Sequence, residues 1–130
     1  MIAQSVAFAE AALVGRLAFL DLGVANAKVL VYGTTRPPVE GDASGGPALC
    51  EFVLSKPAGT ISGGLLELQA AAFALVMNSG SPVWARAING NADFAFDCDA
   101  GVVGSGAEVE LSTSPLYAGG RVALISAVLG

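Results

Sequence analysis

The feature that most constrains the fold is the two-residue alternation across residues 82–99. Its first half alternates bulky and small residues up to Asn89 and Gly90, a pair that readily takes the positive φ of a tight turn. Its second half alternates apolar with acidic residues, namely Phe94, Phe96 and Cys98 with Asp93, Asp97 and Asp99. Period two on both sides of a turn predicts a β-hairpin with an apolar core face and an acidic solvent face.

Similar strand-like segments recur from residue 27 onward. Further strands are predicted at residues 27–32, 48–55, 108–111 and 122–128, and we also favour strand over helix for the ambiguous, Ala-rich segment 65–77. Residues 33–47 are predicted to form a long loop, and Pro57, Gly59, Gly63 and Gly64 to cut the chain after residue 55 into short pieces. The pattern predicts a mainly β chain, an antiparallel β-sandwich or jelly roll of about seven or eight strands. In it, Val109 and Leu111 point inward with Phe94 and Phe96, while Glu108 and Glu110 point outward.

The N-terminal segment has a different periodicity. Val6, Leu13, Leu17 and Leu20 are spaced so that they share one side of a helix ending near Gly23. The alternative is an extended arm that becomes ordered only against a neighbouring subunit. We therefore divide the chain into an N-terminal helix or arm, residues 1–26, and a β-sandwich domain, residues 27–130.

The charge content predicts association with other protein chains. Only 13% of residues are charged, while 54% are hydrophobic, so the domain has little polar surface to keep it monomeric. The net charge of −5 argues against binding to nucleic acid, which requires clustered Lys and Arg. Arg16, Asp21 and Glu67 interrupt the apolar stretches, so no membrane span is expected. Residues 1–8 lack the basic residues of a signal peptide, and cytoplasmic synthesis is expected.

The residues that carry chemistry do not form a recognisable site. The chain has no His, which excludes His-based catalytic triads and His metal ligands. Asp93, Asp97 and Asp99 lack the loop spacing of a calcium site and are interpreted as a solvated face. The glycine-rich residues 101–106 precede a strand rather than the helix that a phosphate loop needs. We predict no catalytic, cofactor-binding or metal-binding residues, and a protein that is not an enzyme.

Two further residue types have structural interpretations. Cys50 and Cys98 lie in apolar, strand-like surroundings and are predicted to be buried, reduced thiols. Trp84 is interpreted as a core residue, with an interface position as the alternative.

The order of six short segments resembles that in a family of small virion proteins of tailed bacteriophages. They are a Thr-Arg-Pro loop after a strand (29–37), a strand ending in Pro-Ala-Gly (52–59), Ser-Gly-Gly (62–64), a Trp-containing hairpin (83–90), a Gly-Ser-Gly-Ala-Glu-Val-Glu-Leu run (104–111) and an Ala-Gly-Gly turn (118–120). The resemblance covers most of residues 28–130, whereas the first 25 residues match only in character. No catalytic or ligand residues are carried over from the family.

The resemblance implies a head decoration or cement protein, made in the host cytoplasm and bound to the capsid exterior. Its partners would be the major capsid protein and further copies of itself, as a homodimer or homotrimer. One alternative is a structural protein of the phage tail or of head completion. Another class is a carbohydrate-binding β-sandwich, whose exposed aromatic groove would have to use Tyr32, Trp84 and Tyr117.

The predicted partner contacts lie on the two segments that a β-sandwich does not need. They are the apolar helix stripe of Val6, Leu13, Leu17 and Leu20, and the loop residues Arg36 and Pro37. Burial of the stripe on a neighbour would stabilise an assembly. We expect removal of residues 1–22 to leave a folded β domain that no longer oligomerises or binds particles.

Overall fold

The computed structural model describes residues 5–129, which form one helix and nine strands. The helix α1 spans Val6–Leu20. The strands are β1 Lys28–Tyr32, β2 Cys50–Ser62, β3 Leu65–Ala70, β4 Ala74–Leu75, β5 Trp84–Ile88, β6 Phe94–Val102, β7 Val109–Leu111, β8 Arg121–Val122 and β9 Leu124–Leu129. The prediction of a mainly β chain is confirmed.

Seven of these strands close into a barrel in the order β1-β2-β3-β9-β7-β6-β5, with β5 pairing back onto β1. Strands β6 and β7 are parallel, with Ala100 opposite Val109, so the barrel is mixed. Strands β4 and β8 form a separate two-stranded ribbon. The predicted antiparallel sandwich or jelly roll is therefore wrong. Alternation along each strand is the same in a sandwich and a barrel. Closure leaves fewer unpaired strand edges than a sandwich would have.

The long strand β2 makes this closure possible. Its first part pairs with β1 and its last part with β3, with a break in register between Leu54 and Gly59. A Cβ atom at Gly59 would collide with the backbone carbonyl of Glu67, so glycine permits close approach at the corner. The expectation that Pro57 and Gly59 would end the strand is wrong, because here they lie where a single strand passes from one neighbour to the next.

The hairpin of β5 and β6 is present, but its turn differs from the predicted one. The loop runs from Asn89 to Asp93, and the Asn89 side-chain oxygen accepts hydrogen bonds from the amides of Asn91 and Asp93, both at 3.0 Å. Positive φ falls on Ala92 rather than on Asn89 or Gly90. Gly90 is required for space, since a Cβ atom there would collide with the carbonyl of Ala25.

The barrel interior is filled by alternate residues of its strands. In β1, Val29 and Val31 point inward and their neighbours point outward. The other fully enclosed large apolar side chains of the core include Phe52, Leu54, Leu66, Val109 and Leu111. Phe94, by contrast, is 39% exposed, and Phe96 is only partly buried against the core. The inward orientation predicted for β7 is confirmed, whereas that predicted for Phe94 is wrong.

Of the two structures considered for the N-terminal segment, the helix is the one observed. The Ser5 hydroxyl caps α1 by accepting a hydrogen bond from the Phe8 amide at 3.1 Å. The helix packs against β2 and β3 and is tied to them by side-chain acceptors: Glu10 accepts from the Gly64 amide and Asp21 from the Ala58 amide. Among the described residues, no helix is both long enough and apolar enough to cross a membrane.

Candidate interaction surfaces

An aromatic and charged cluster lies on the outer face of the barrel, across β1, β5 and β6. The rings of Tyr32 and Trp84 stack with centroids 4.4 Å apart and planes 16° from parallel. The Arg86 guanidinium carbon lies 5.0 Å from the Trp84 ring and 5.4 Å from the Phe94 ring. These distances are in the range of cation–π contacts. We call Tyr32, Trp84, Arg86, Phe94 and Asp97 the outer cluster.

The predicted loop 33–47 covers this cluster, and we call it the strap. The Trp84 indole N–H donates to the Thr34 hydroxyl at 3.3 Å. The Gly41 amide donates to Asp97 Oδ2 at 3.3 Å, and Arg86 Nη2 donates to the Asp42 carbonyl at 2.6 Å. Trp84 is therefore fully buried, as expected of a core residue, but it lies beneath the strap on the outside of the barrel.

The ion pair of Arg86 and Asp97 joins β5 to β6 within this cluster. Arg86 Nε lies 2.7 Å from Asp97 Oδ1, and Nη2 lies 3.0 Å from Oδ2, so two parallel bonds form. The hydrogen bond to Asp97 raises the pKa of Arg86 above its usual value, against the opposing effect of partial burial. The Asp97 side chain has no exposed surface. The prediction that Asp97 faces solvent is wrong, because the strap closes over the acidic face of β6.

The strap residues predicted to contact a partner have partners in their own chain. Arg36 Nη1 donates to the Asp99 carboxylate at 3.2 Å, and Nη2 donates to the Asp97 carbonyl at 3.1 Å. Arg36 and Pro37 are both half-buried. The strap is thus held against the barrel, and reaching across to another subunit would require these bonds to break.

The helix residues predicted to contact a partner are divided between core and surface. Leu13 and Leu20 are buried in the barrel core, and Leu17 is partly buried against it. Val6 is 55% exposed. Most of the apolar stripe is therefore covered by strands of the same chain.

The opposite side of α1 is apolar as well as exposed. We call it the outer helix face; its members, all exposed, are Phe8, Ala11, Ala12, Gly15, Ala18 and Phe19. The side chain of Phe8 is 66% exposed, and among the described residues nothing outside the helix's own backbone and the neighbours of Gly15 would lie within 4 Å of a Cβ added there. A helix with two apolar faces needs a cover on both of them.

A second exposed apolar surface lies on the ribbon of β4 and β8, and we call it the ribbon row. Ala74 and Val76 are buried, whereas the alternate residues Phe73, Leu75 and Met77 are exposed. The Tyr117 side chain, also exposed, belongs to the turn whose residues Gly119 and Gly120 bond to Val76. The signal was present in the sequence: residues 73–77 are apolar in both registers of a strand, which is unusual for a strand with one face in water.

The described part of the chain also contains an open groove between α1 and β6. Its volume is about 610 Å³, and its lining is mainly apolar, including Phe19, Leu20, Phe96 and Leu129, with Arg16 and Glu108 among its polar residues. The groove forms because β7 pairs with β6 only from Ala100 onward, which leaves the first half of β6 without a strand on that side.

The two thiols are buried and unpaired, as predicted. Burial raises the pKa of Cys50 and of Cys98 from 9.0 to about 12, so neither forms a thiolate near neutral pH. Within residues 5–129, no three carboxylate or thiol groups come together in an arrangement that could hold a metal ion.

Comparisons of the chain with protein-family models, curated proteins and solved structures found no match. The functional argument therefore rests on the surfaces described above. The most distinctive of them are the outer helix face and the ribbon row.

Proposed function

We propose that this chain is a structural subunit that works by burying apolar surface against other protein chains, and that its assembly is a phage capsid, where it decorates the outer shell. The observation that carries the proposal is the pair of exposed apolar surfaces, the outer helix face and the ribbon row. A lone exposed apolar side chain is ordinary, but contiguous rows of them mark contact sites.

The ribbon row is the better candidate for contact with the shell. Phe73, Leu75 and Tyr117 are each more than 60% exposed, and Met77 is 48% exposed. Large apolar and aromatic side chains, Met included, are the types enriched in the buried centres of protein interfaces. The strap is less suitable, because Arg36 and the groups beneath it are already bonded within the chain.

The placement on a capsid rests on the resemblance and on charge. The order of the six short segments between residues 28 and 130 resembles that in small phage virion proteins. The net charge of −5 suits a protein that works outside the DNA-filled shell. A bound copy that spans two shell subunits would stabilise the assembled state by mass action. The carbohydrate-binding alternative is less favourable, since Tyr32 and Trp84 stack beneath the strap rather than lining a groove.

The test is co-sedimentation of the purified chain with shells that lack it. Leu75→Asp places a charge in the ribbon row without touching the core, because Leu75 is 61% exposed. We expect it to weaken shell binding at least about tenfold, the effect of removing a central apolar contact.

Val39→Asp is the matched control. Val39 is 56% exposed but lies on the strap, so the same substitution should leave binding unchanged. If Val39→Asp abolishes shell binding and Leu75→Asp does not, the contact lies on the strap rather than on the ribbon row. A wild-type chain that fails to bind shells of any kind would overturn the capsid role.

A further inference from the structure

We infer that the outer helix face binds a second copy of this chain, with the two α1 helices packed antiparallel about a two-fold axis. The inference deepens the proposed function, on which it rests, by naming the partner of one apolar surface and the geometry of the contact. It assigns self-association to the helix and leaves the ribbon row for the shell.

The first argument is that the face is continuous and uncharged. At about 100° per residue, its six members fall within one third of the helix circumference. The charged residues of α1 are Glu10 and Arg16, and both lie outside that third. Two copies that each carry a net charge of −5 repel one another, so a contact between them is best made through a surface free of charge.

The second argument is that four of the six members of the face are spaced symmetrically along the helix. Phe8 and Phe19 lie equally far from the midpoint between Leu13 and Val14, and so do Ala12 and Gly15. If a two-fold axis passes through this midpoint, each Phe8 meets the Phe19 of the other copy and each Ala12 meets a Gly15. A self-complementary patch of this kind is what a two-fold interface requires.

The third argument concerns close approach. The centre of the face consists of Ala11, Ala12 and Gly15, and the space beyond Gly15 is open. Small side chains let two helix axes come to about 8 Å, the near end of the usual range. The phenyl rings at both ends can then cover the contact, and the antiparallel helix dipoles attract each other.

The surroundings favour a second copy over other occupants. A helix that lies on a membrane surface usually has a polar face rich in Lys and Arg, whereas α1 has a single Arg and its other face is in the barrel core. The helix is about 22 Å long, so its face alone offers less than the roughly 800 Å² per partner of a standard interface. We therefore expect a dimer that dissociates on dilution and is reinforced when copies sit side by side on an assembly.

Sedimentation over a range of concentrations tests the surface. The wild-type chain should shift from one to two chains in mass, and Phe8→Asp should raise the dissociation constant at least about tenfold. Phe73→Asp is the matched control, because Phe73 is 70% exposed against 66% for Phe8 and lies on the ribbon row. Gly15→Leu is a second variant: it adds no charge, its Cβ enters open space on the outside of the helix, and the larger side chain should block close approach.

Cross-linking tests the geometry. Phe8→Cys and Phe19→Cys chains are mixed and treated with a short bis-maleimide; the buried Cys50 and Cys98 should not react. The mixture should give covalent dimers that join the two variants, whereas each variant alone should give few, since Phe8 and its symmetry mate would be about 16 Å apart along the axis. Efficient cross-linking of Phe8→Cys alone would indicate parallel helices and overturn the proposed geometry.

The outcomes separate this inference from the proposed function. A wild-type chain that stays monomeric at all concentrations, or a Phe73→Asp chain that dissociates as readily as Phe8→Asp, would overturn the helix contact. Shell binding is measured independently. A chain that dimerises through the helix but does not bind shells would support the helix contact and contradict the capsid role.

Discussion

Arg86 and Asp97 face each other across β5 and β6 on the outside of the barrel, joined by two hydrogen bonds of 2.7 and 3.0 Å. Each also binds the strap: Arg86 donates to the Asp42 carbonyl, and Asp97 accepts from the Gly41 amide. The pair therefore fixes both the hairpin and the loop that covers it. Because the Asp97 side chain is fully enclosed, losing one of these partners would leave buried polar groups uncompensated.

The first prediction compares the two aspartates that Arg36 and Arg86 contact. Asp97→Asn should lower the free energy of unfolding by about 3 kcal/mol, because it leaves a largely enclosed guanidinium without its counter-charge. Asp99→Asn removes only a pair whose carboxylate is 64% exposed, and should cost about 0.5 kcal/mol or less. Urea titration of both variants gives the comparison. An equal loss from the two would show that the strap does not enclose Asp97 in solution.

The second prediction uses two neighbouring threonines of the strap. The Thr34 hydroxyl accepts from the Trp84 indole and donates to the Ser44 carbonyl at 2.9 Å, whereas Thr35 is exposed. Thr34→Val should cost about 1–3 kcal/mol by leaving the buried indole N–H unpaired. Thr35→Val should change stability by about 0.5 kcal/mol or less. The fluorescence of Trp84, the single tryptophan, should become more accessible to quenchers only in the first variant.

The strands of the barrel could be predicted from local sequence, but their arrangement could not. Alternation at Val29 and Val31, or at Val109 and Leu111, tells which side chains share a face of a strand. It does not tell whether the sheet closes, since that depends on pairings such as β1 with β5 and β3 with β9, which join strands far apart in the sequence. The same limit explains Asp97, because the strap residue Gly41, whose amide binds its carboxylate, lies 56 positions earlier in the chain.

The candidate surfaces were only partly predictable for a related reason. The helical spacing of Leu13, Leu17 and Leu20 was correctly identified. The sequence does not tell whether the surface that buries these side chains belongs to another chain or to the same chain. The exposed side carries Ala11, Ala12 and Gly15, whose small side chains give little periodic signal against an apolar background. Tertiary packing had to show which face of α1 remained open.

The third prediction follows from the thiols. Burial raises the pKa of Cys50 and Cys98 from 9.0 to about 12. Between these two pH values the folded chain keeps both thiols protonated, whereas the unfolded chain loses the two protons. The resulting stabilisation is fully present below pH 9 and is lost as the pH rises toward 12. A thiol reagent at pH 8 should label neither Cys until the chain is unfolded. From pH 9 upward, stability should fall more steeply for the wild type than for the Cys50→Ala/Cys98→Ala variant; equal slopes would contradict the burial.

The last prediction compares adjacent helix residues that point in opposite directions. Leu13 is 1% exposed and belongs to the barrel core, whereas Val14 is 59% exposed. Leu13→Ala should cost about 2–5 kcal/mol, the range for a leucine removed from a packed core. Val14→Ala should change stability by about 0.5 kcal/mol or less, since it leaves the core intact and Ala favours a helix.

Because α1 covers β2 and β3, we now also expect a chain without residues 1–22 to unfold rather than remain a folded β domain. Denaturant titration of the two point variants, with circular dichroism of the truncated chain, shows whether α1 is part of the folded core or an attachment to it. If Leu13→Ala costs no more than Val14→Ala and the truncated chain stays folded, the helix is an attachment that the barrel does not need, and its apolar stripe is again free to bind a partner.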